Sequence, residues 1–239
     1  MFIREDPRLI FFHLRFTVHE LRRKIAATER EVAQASACGE IAMSDPKRTK
    51  ETELAKTQEF PAARSRVEDS EKFLAEQQRI KEMIAANAPL QEILSELLLL
   101  IEAQSPEMIG SILLLSDDGN HVRHAVAPSL PENYVKVIDG SPIGPKHGSC
   151  GTAMFRGKPV IVTDIATDPL WEEYRGFASA IGVAACWSTP ILSSKGKVLG
   201  SFAMYYREPR TPTGEESHLT NVATKLAGQA IEHHAHKKK

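Results

Sequence analysis

GSCGTA (148–153), DIATDPLWEEY (164–174), ACWSTPI (185–191) and GKVLGSFAMYY (196–206) follow one another within residues 148–206. A glycine-rich turn carrying Cys150 opens a helix that continues through Thr152–Arg156, and PVIVTDI (159–165) is an apolar strand. Asp168–Ile181 is expected to be helical, with Asp168 as N-cap and Pro169 at the first helical position. VAACWSTPIL (183–192) and KVLGSFAMYY (197–206) form a hairpin across Ser193–Gly196. Alternation puts Cys186 and Ser188 on one face of the first of these strands and Trp187 on the other. The stretch as a whole describes a pocket on one face of an antiparallel sheet.

Upstream, MIGSILLLS (108–116) is a strand ended by Asp117-Asp118-Gly119-Asn120, a hairpin signal, and HVRHAVAPS (121–129) is the returning strand. LPENYVKVIDG (130–140) is a short helix or loop. Pro89 fits the first turn of a helix whose apolar face is Leu90, Ile93, Leu94, Leu97, Leu98 and Ile101. A last helix from about Thr213 carries Leu219, Val222, Leu226 and Ile231. The order of strands and helices makes the expected fold class α+β over residues 89–236.

Residues 1–88 are expected to be a helical extension. Phe11, Leu14, Val18, Leu21, Ile25, Thr28 and Val32 alternate three- and four-residue spacings, the seam of a coiled coil over about three heptads. This fits either a dimerising, signal-transmitting helix or an amphipathic helix folded onto its own chain. Gly39 and SDPKRTKE (44–51) mark a polar connector near 39–51. A second helical run covers Glu51–Ala88, with Phe60-Pro61 as an interruption. Lys237–Lys239 form a basic tail.

The bulk properties exclude several classes. A net charge of −1 on 239 residues offers no electrostatic footprint for nucleic acid or an anionic membrane. No stretch approaches the ~18 apolar residues that span a bilayer, and Leu9–Phe16 lacks a cleavage site for a signal peptide. Three cysteines (Cys38, Cys150, Cys186) without paired spacing argue for a reducing cytoplasm rather than a disulfide scaffold.

In their order and gaps, GSCGTA, VIVTDI (160–165), DPLWEEY (168–174), ACWSTPI and GKVLGSFAMYYREPRTP (196–212) resemble a GAF domain, the ligand-sensing module of many signalling proteins. The resemblance covers Pro89–His236. It is to the bacterial type found ahead of histidine kinases and of enzymes that make or hydrolyse cyclic-di-GMP. It implies a central antiparallel sheet with helices on one face and a ligand pocket on the other, and a homodimer through the first and last helices. No kinase ATP-binding motif, GGDEF-like or EAL-like signature, or helix-turn-helix follows the last strand. The expectation is a sensor alone, a fragment of a larger sensor, or a partner of an output module acting in trans, with a ligand-free dimerisation scaffold as an alternative.

The candidate ligand contacts are Ser149, Cys150, Thr152, Asp164, Asp168, Trp171, Tyr174, Cys186 and Ser188. Backbone N–H groups at a helix start can bind an anion or lower a thiol pKa, and His147 can do the same when protonated. Trp171 and Tyr174 can wall a ring or a cation; core packing is the plainer account of both. Asp164 ends an apolar strand and needs donors, whereas capping alone accounts for Asp168. An enzyme reading rests on a second resemblance, since GSCGTA is similar to the turn of free methionine-R-sulfoxide reductases. That activity would use Cys150 and Cys186, but Cys186 does not match the family's second cysteine position. His147 with Cys150 gives two metal ligands rather than the usual three or four. No metal site is expected, nor a covalent bilin; haem is left without a specific histidine, and the ligand stays unknown.

Overall fold

The computed structural model describes residues 46–237 and, ahead of them, Arg23 and Arg30, both helical. The heptad-like positions Phe11–Val32, Gly39 and the last two lysines lie outside the described residues. The chain divides into two compact units, residues 1–74 and 75–239.

Residues 46–74 of the first unit belong to helix α1, Pro46–Ala85. Residues 46–51, expected in the polar connector, are helical, because a proline is at home in a first helical turn. Nor does Pro61 interrupt α1. Its ring removes one backbone donor, and good helix formers on both sides (Gln58, Glu59, Ala62, Ala63) carry the helix past it.

The second unit opens with the end of α1, where Gln77, Ile80 and Ile84 are buried at the three- and four-residue spacing of the sequence. Asn87 stops the helix in the left-handed region (φ 59°), and the Ala88 N–H reaches back to the Met83 carbonyl at 3.0 Å. Helix α2 (Leu90–Gln104) buries Ile93, Leu94, Leu97, Leu98 and Ile101 completely. Arg79 of α1 pairs with Glu96 of α2.

Strands β1 (Ile109–Leu115), β2 (Val122–Val126), β3 (Val160–Val162), β4 (Ala185–Leu192) and β5 (Val198–Tyr206) form one sheet in the order β2-β1-β5-β4-β3, every pair antiparallel. Between them lie α3 (Glu132–Ile138), α4 (Gly148–Arg156), a 3₁₀ turn at Pro169–Trp171 and α5 (Arg175–Ala180), and α6 (Gly214–Lys237) ends the described chain. The expected single helix over Asp168–Ile181 is therefore two short pieces. Asp168 does cap the first, its carboxylate accepting from the Leu170 N–H at 2.8 Å.

Register sorts the side chains. Gly110 lies opposite Met204, and Ile112 opposite Phe202, which in turn pairs with Thr189. This face meets α2 and α6: a Cβ on Gly110 would fall 2.4 Å from Leu98 Cδ1, and Thr220 of α6 donates to Met204 Sδ at 3.2 Å. Gly228 brings α6 tight against β4, since a Cβ there would lie 2.7 Å from the Leu192 carbonyl oxygen. The start of α6 is a capping box: Thr213 Oγ1 accepts from the Glu216 N–H at 3.2 Å, and Glu216 accepts from the Thr213 N–H at 2.8 Å. Glu216 is buried and also accepts from Tyr206 Oη (2.7 Å) and Arg210 Nη2 (2.9 Å), while the Arg210 guanidinium sits 4.4 Å from the Tyr206 ring centroid. Leu113, Ser201, Ala203 and Tyr205 occupy the opposite face, with Cys186 and Ser188 beside them in β4. Helix α4 packs on that face, against β3, β4 and β5.

Candidate functional site

Each residue of GSCGTA has a local task at the start of α4. Gly148 is left-handed (φ 57°), the one backbone conformation in this motif that favours glycine. Ser149 Oγ donates to the Cys186 carbonyl at 3.2 Å and accepts from Trp171 Nε1 at 2.9 Å, so one hydroxyl ties the helix start to β4 and to the 3₁₀ turn. Cys150 faces a cavity. Gly151 lets the backbone of Pro142 approach, since a Cβ would lie 3.3 Å from its carbonyl oxygen. Thr152 Oγ1 accepts from the His147 N–H at 3.1 Å and closes the first turn.

The cavity lies between the sheet and its cover. Leu113 and Val122 form its floor, Tyr134 and Ile138 of α3 one wall, His147–Gly151 another, and Trp171 and Tyr174 the third. Trp171 meets Tyr174 edge to face at 6.3 Å, and Tyr134 stacks on Phe177 at 5.5 Å. The free space is about 30 Å³. That is about two to three times what a single water needs, and far below the several hundred Å³ of an ordinary ligand pocket.

Beneath the cavity runs a polar strip. Tyr205 Oη meets Ser111 Oγ at 3.2 Å, Cys150 Sγ at 3.5 Å and the hydroxyl of Tyr134. Ser188 Oγ, Ser201 Oγ and His147 Nδ1 are buried without a hydrogen-bond partner. Cys150 and Cys186 are both free and buried. The neighbouring Cys186 thiol lowers the Cys150 pKa to about 6, against the cost of burial and with help from the hydroxyls of Ser188, Tyr205 and Ser201. The two serines face the sulfur as donors that a thiolate would accept from. Burial drives Cys186 the other way, well above the usual thiol range, and raises Tyr134 and Tyr205 as well.

Of the residues singled out in the sequence, Ser149, Cys150, Trp171 and Tyr174 line the cavity, and Cys186 and Ser188 lie on the same sheet face. Thr152 closes the helix turn beside them. Asp164 and Asp168 do not line it. Asp164 finds its donors locally, the Ala166 N–H and Thr167 Oγ1, both at 3.0 Å. Sequence reasoning missed Tyr134, Tyr205, Ser111 and Ser201. Tyr205 sits in the alternating run of β5, so its face followed from the same count that placed Cys186; the touch of Tyr134 across 71 positions had no local signal. Among the described residues no cluster of three metal-ligating side chains occurs, and no helix is long and apolar enough to cross a membrane.

Residues 87–232 match the family model described as GAF domain, and the chain belongs to that family. It is 39% identical over 165 residues to the methyl sulfide methyltransferase-associated sensor of Methanosarcina acetivorans, a match covering 69% of this chain and 16% of that protein. The chain thus spans about one sixth of that relative's length. Among solved structures it is similar to the GAF domain of a phosphoenolpyruvate-protein phosphotransferase from Coxiella burnetii (TM-score 0.54, 17% identity, 70% of this chain, 97% of that one). It is similar also to free methionine-R-sulfoxide reductase from Neisseria meningitidis in complex with its substrate (TM-score 0.52, 14% identity, 69% of this chain, 91% of that one). At these identities the two structures speak for the fold alone.

Proposed function

We propose that this domain is a signal-transduction sensor that binds a small molecule on the Cys150 face of the sheet and passes its occupancy to the helices. The observation that carries the reading is the mismatch under the aromatic wall. The Nδ1 of His147 stands buried without a partner in the wall of a space of about 30 Å³, and the buried hydroxyls of Ser188 and Ser201 have only the Cys150 sulfur to turn to. Unpaired buried polar groups cost about 1–3 kcal/mol each, a cost that a polar ligand would remove. The contacts we assign are Ser149, Cys150, Trp171, Tyr174, Cys186 and Ser188, joined by Tyr134 and His147. Thr152 supports the turn, and Asp164 and Asp168 hold the loop that carries Trp171.

A ligand larger than water enters by displacing the wall of Trp171, Tyr174 and Tyr134. Its affinity for the open arrangement over the closed one then shifts the population of the two. The sensor named among the relatives supports the role. Pairing of two copies through the helices, a cytoplasmic setting, and an output module (a histidine kinase or a cyclic-di-GMP enzyme) in cis or in trans belong to the same proposal.

Native mass spectrometry of the full chain is the test. A retained small molecule, lost in a Trp171→Ala variant, is the expected result; a chain that retains nothing and shows no thermal shift across a metabolite screen would overturn it. The reductase reading asks an amino-acid-sized substrate to displace the same wall, and Cys186 does not match that family's second cysteine position. Turnover of free methionine sulfoxide in a thioredoxin-coupled assay would revive it.

A further inference from the structure

Cys150 and Cys186 reach the pocket face from separate elements, the first turn of α4 and strand β4. Two contacts bring them together. Ser149, the residue before Cys150, is bonded to the Cys186 carbonyl at 3.2 Å. Cys186 is the cross-strand partner of Tyr205, whose hydroxyl is 3.5 Å from Cys150 Sγ. Both cysteines belong to one buried cluster with Tyr134, Ala203 and Tyr205. They also differ in access: Cys150 lines the cavity and is 8% exposed, whereas Cys186 is 0% exposed.

We propose that Cys150 and Cys186 form a reversible disulfide that registers hydrogen peroxide. The assignment does not rest on the sensor reading; the cavity admits a molecule little larger than water as it stands, and it opens onto Cys150. The Cys150 thiolate attacks one peroxide oxygen, an S–O bond forms and the O–O bond breaks. The other oxygen leaves as hydroxide and takes up the proton the thiol had released. Cys186 then attacks the Cys150 sulfur of the resulting sulfenic acid. The S–S bond forms, the S–O bond breaks, and the oxygen departs with the Cys186 proton as water. Across both steps two thiols lose two electrons and two protons, and one peroxide becomes two waters. A dithiol reductant reverses the step. The bond draws the first turn of α4 toward β4, next to the Ser149–Trp171 hydrogen bond.

The test uses the full chain carrying Cys38→Ser, treated with a small excess of hydrogen peroxide, unfolded, alkylated and weighed. Loss of the mass of two hydrogen atoms, a single peptide cross-link between Cys150 and Cys186, and full recovery of both thiols with dithiothreitol are expected. A Cys186→Ser variant should lose the cross-link and accumulate a Cys150 sulfenic acid that dimedone captures; Cys150→Ser should do neither. Two results overturn the proposal: both thiols still fully alkylatable in the Cys38→Ser chain, or Cys150 oxidised beyond sulfenic acid with no cross-link. The first measurement changes neither pocket cysteine, so it decides the matter even where a pocket variant fails to fold.

Discussion

The two faces of the sheet are built from alternate residues of the same strands and behave as opposites. Toward α2 and α6, Ile112, Phe202 and Met204 are fully buried among apolar side chains, and polar groups there are spoken for: Trp187 Nε1 donates to the Arg210 carbonyl at 3.2 Å, and Tyr206 donates to Glu216. Toward α4, Ser188 and Ser201 are just as buried and have no nitrogen or oxygen partner, only the Cys150 sulfur. One face devotes its burial to stability. The other sets its hydroxyls around a thiol, a weak hydrogen-bond partner, and so keeps hydrogen-bonding capacity in reserve.

The largest effect should come from the apolar face. Phe202→Ala removes a fully buried ring and should cost about 3–5 kcal/mol in denaturant unfolding; a loss below about 1 kcal/mol would mean that face is loosely packed. Next comes Glu216. Burial opposes its charge, yet the Thr213 backbone, Tyr206, the Thr213 hydroxyl and Arg210 together hold its carboxyl below the usual range. A folded-state pKa that is depressed gives stability above the ordinary carboxylate value of about 4.5, and that stability is lost as pH falls through the lower, folded value. Glu216→Gln should cost about 2–3 kcal/mol at neutral pH and flatten the acid limb of stability against pH; an unchanged limb would remove Glu216 from the account.

A smaller effect tests the other face. The groups around the Cys150 sulfur are Cys186 and Ser188 from β4, Tyr205 and Ser201 from β5, Tyr134 from α3 and His147 ahead of α4. With a pKa of about 6, its thiolate fraction falls about tenfold between pH 7 and pH 5, and alkylation by a small haloacetamide should slow to match. A profile centred near 8.5 would show an ordinary thiol. Asp168→Ala should cost about 1 kcal/mol as a lost cap, visible as a small drop in thermal midpoint. The smallest change in stability belongs to Ser201→Ala, which removes a hydroxyl with no nitrogen or oxygen partner and should cost less than the loss of the cap. If it costs as much as Asp168→Ala, Ser201 has such a partner after all and the contrast between the faces weakens.

Much of this contrast was legible in the sequence, because strand periodicity is a local rule. Counting by two put Cys186 and Ser188 on one face of the strand and Trp187 on the other, the division that the register shows. The glycines of GSCGTA marked a turn into a helix for a backbone reason, the left-handed Gly148. The failures lie where local rules compete or stop. Asp164 and Asp168 looked like ligand contacts, yet a short polar side chain after a strand or before a helix is satisfied first by its own loop. Pro61 looked like a break, but the formers around it outweigh one missing donor. The Tyr134–Tyr205 contact joins positions 71 apart, and nothing near either residue announces it.

Gly228 matters in a different way. With the Leu192 carbonyl pressed where its side chain would be, α6 has no slack against the end of β4, and Glu232 one turn later grips Ser194 through both its backbone N–H (2.8 Å) and its hydroxyl (2.9 Å). A close-packed joint of this kind transmits displacement instead of absorbing it. The β4–β5 hairpin and the last turns of α6 are therefore fastened to each other at two points, like a bracket held by a face contact and a bolt, so the strand that carries Cys186 and the helix on the far side of the sheet share one rigid joint.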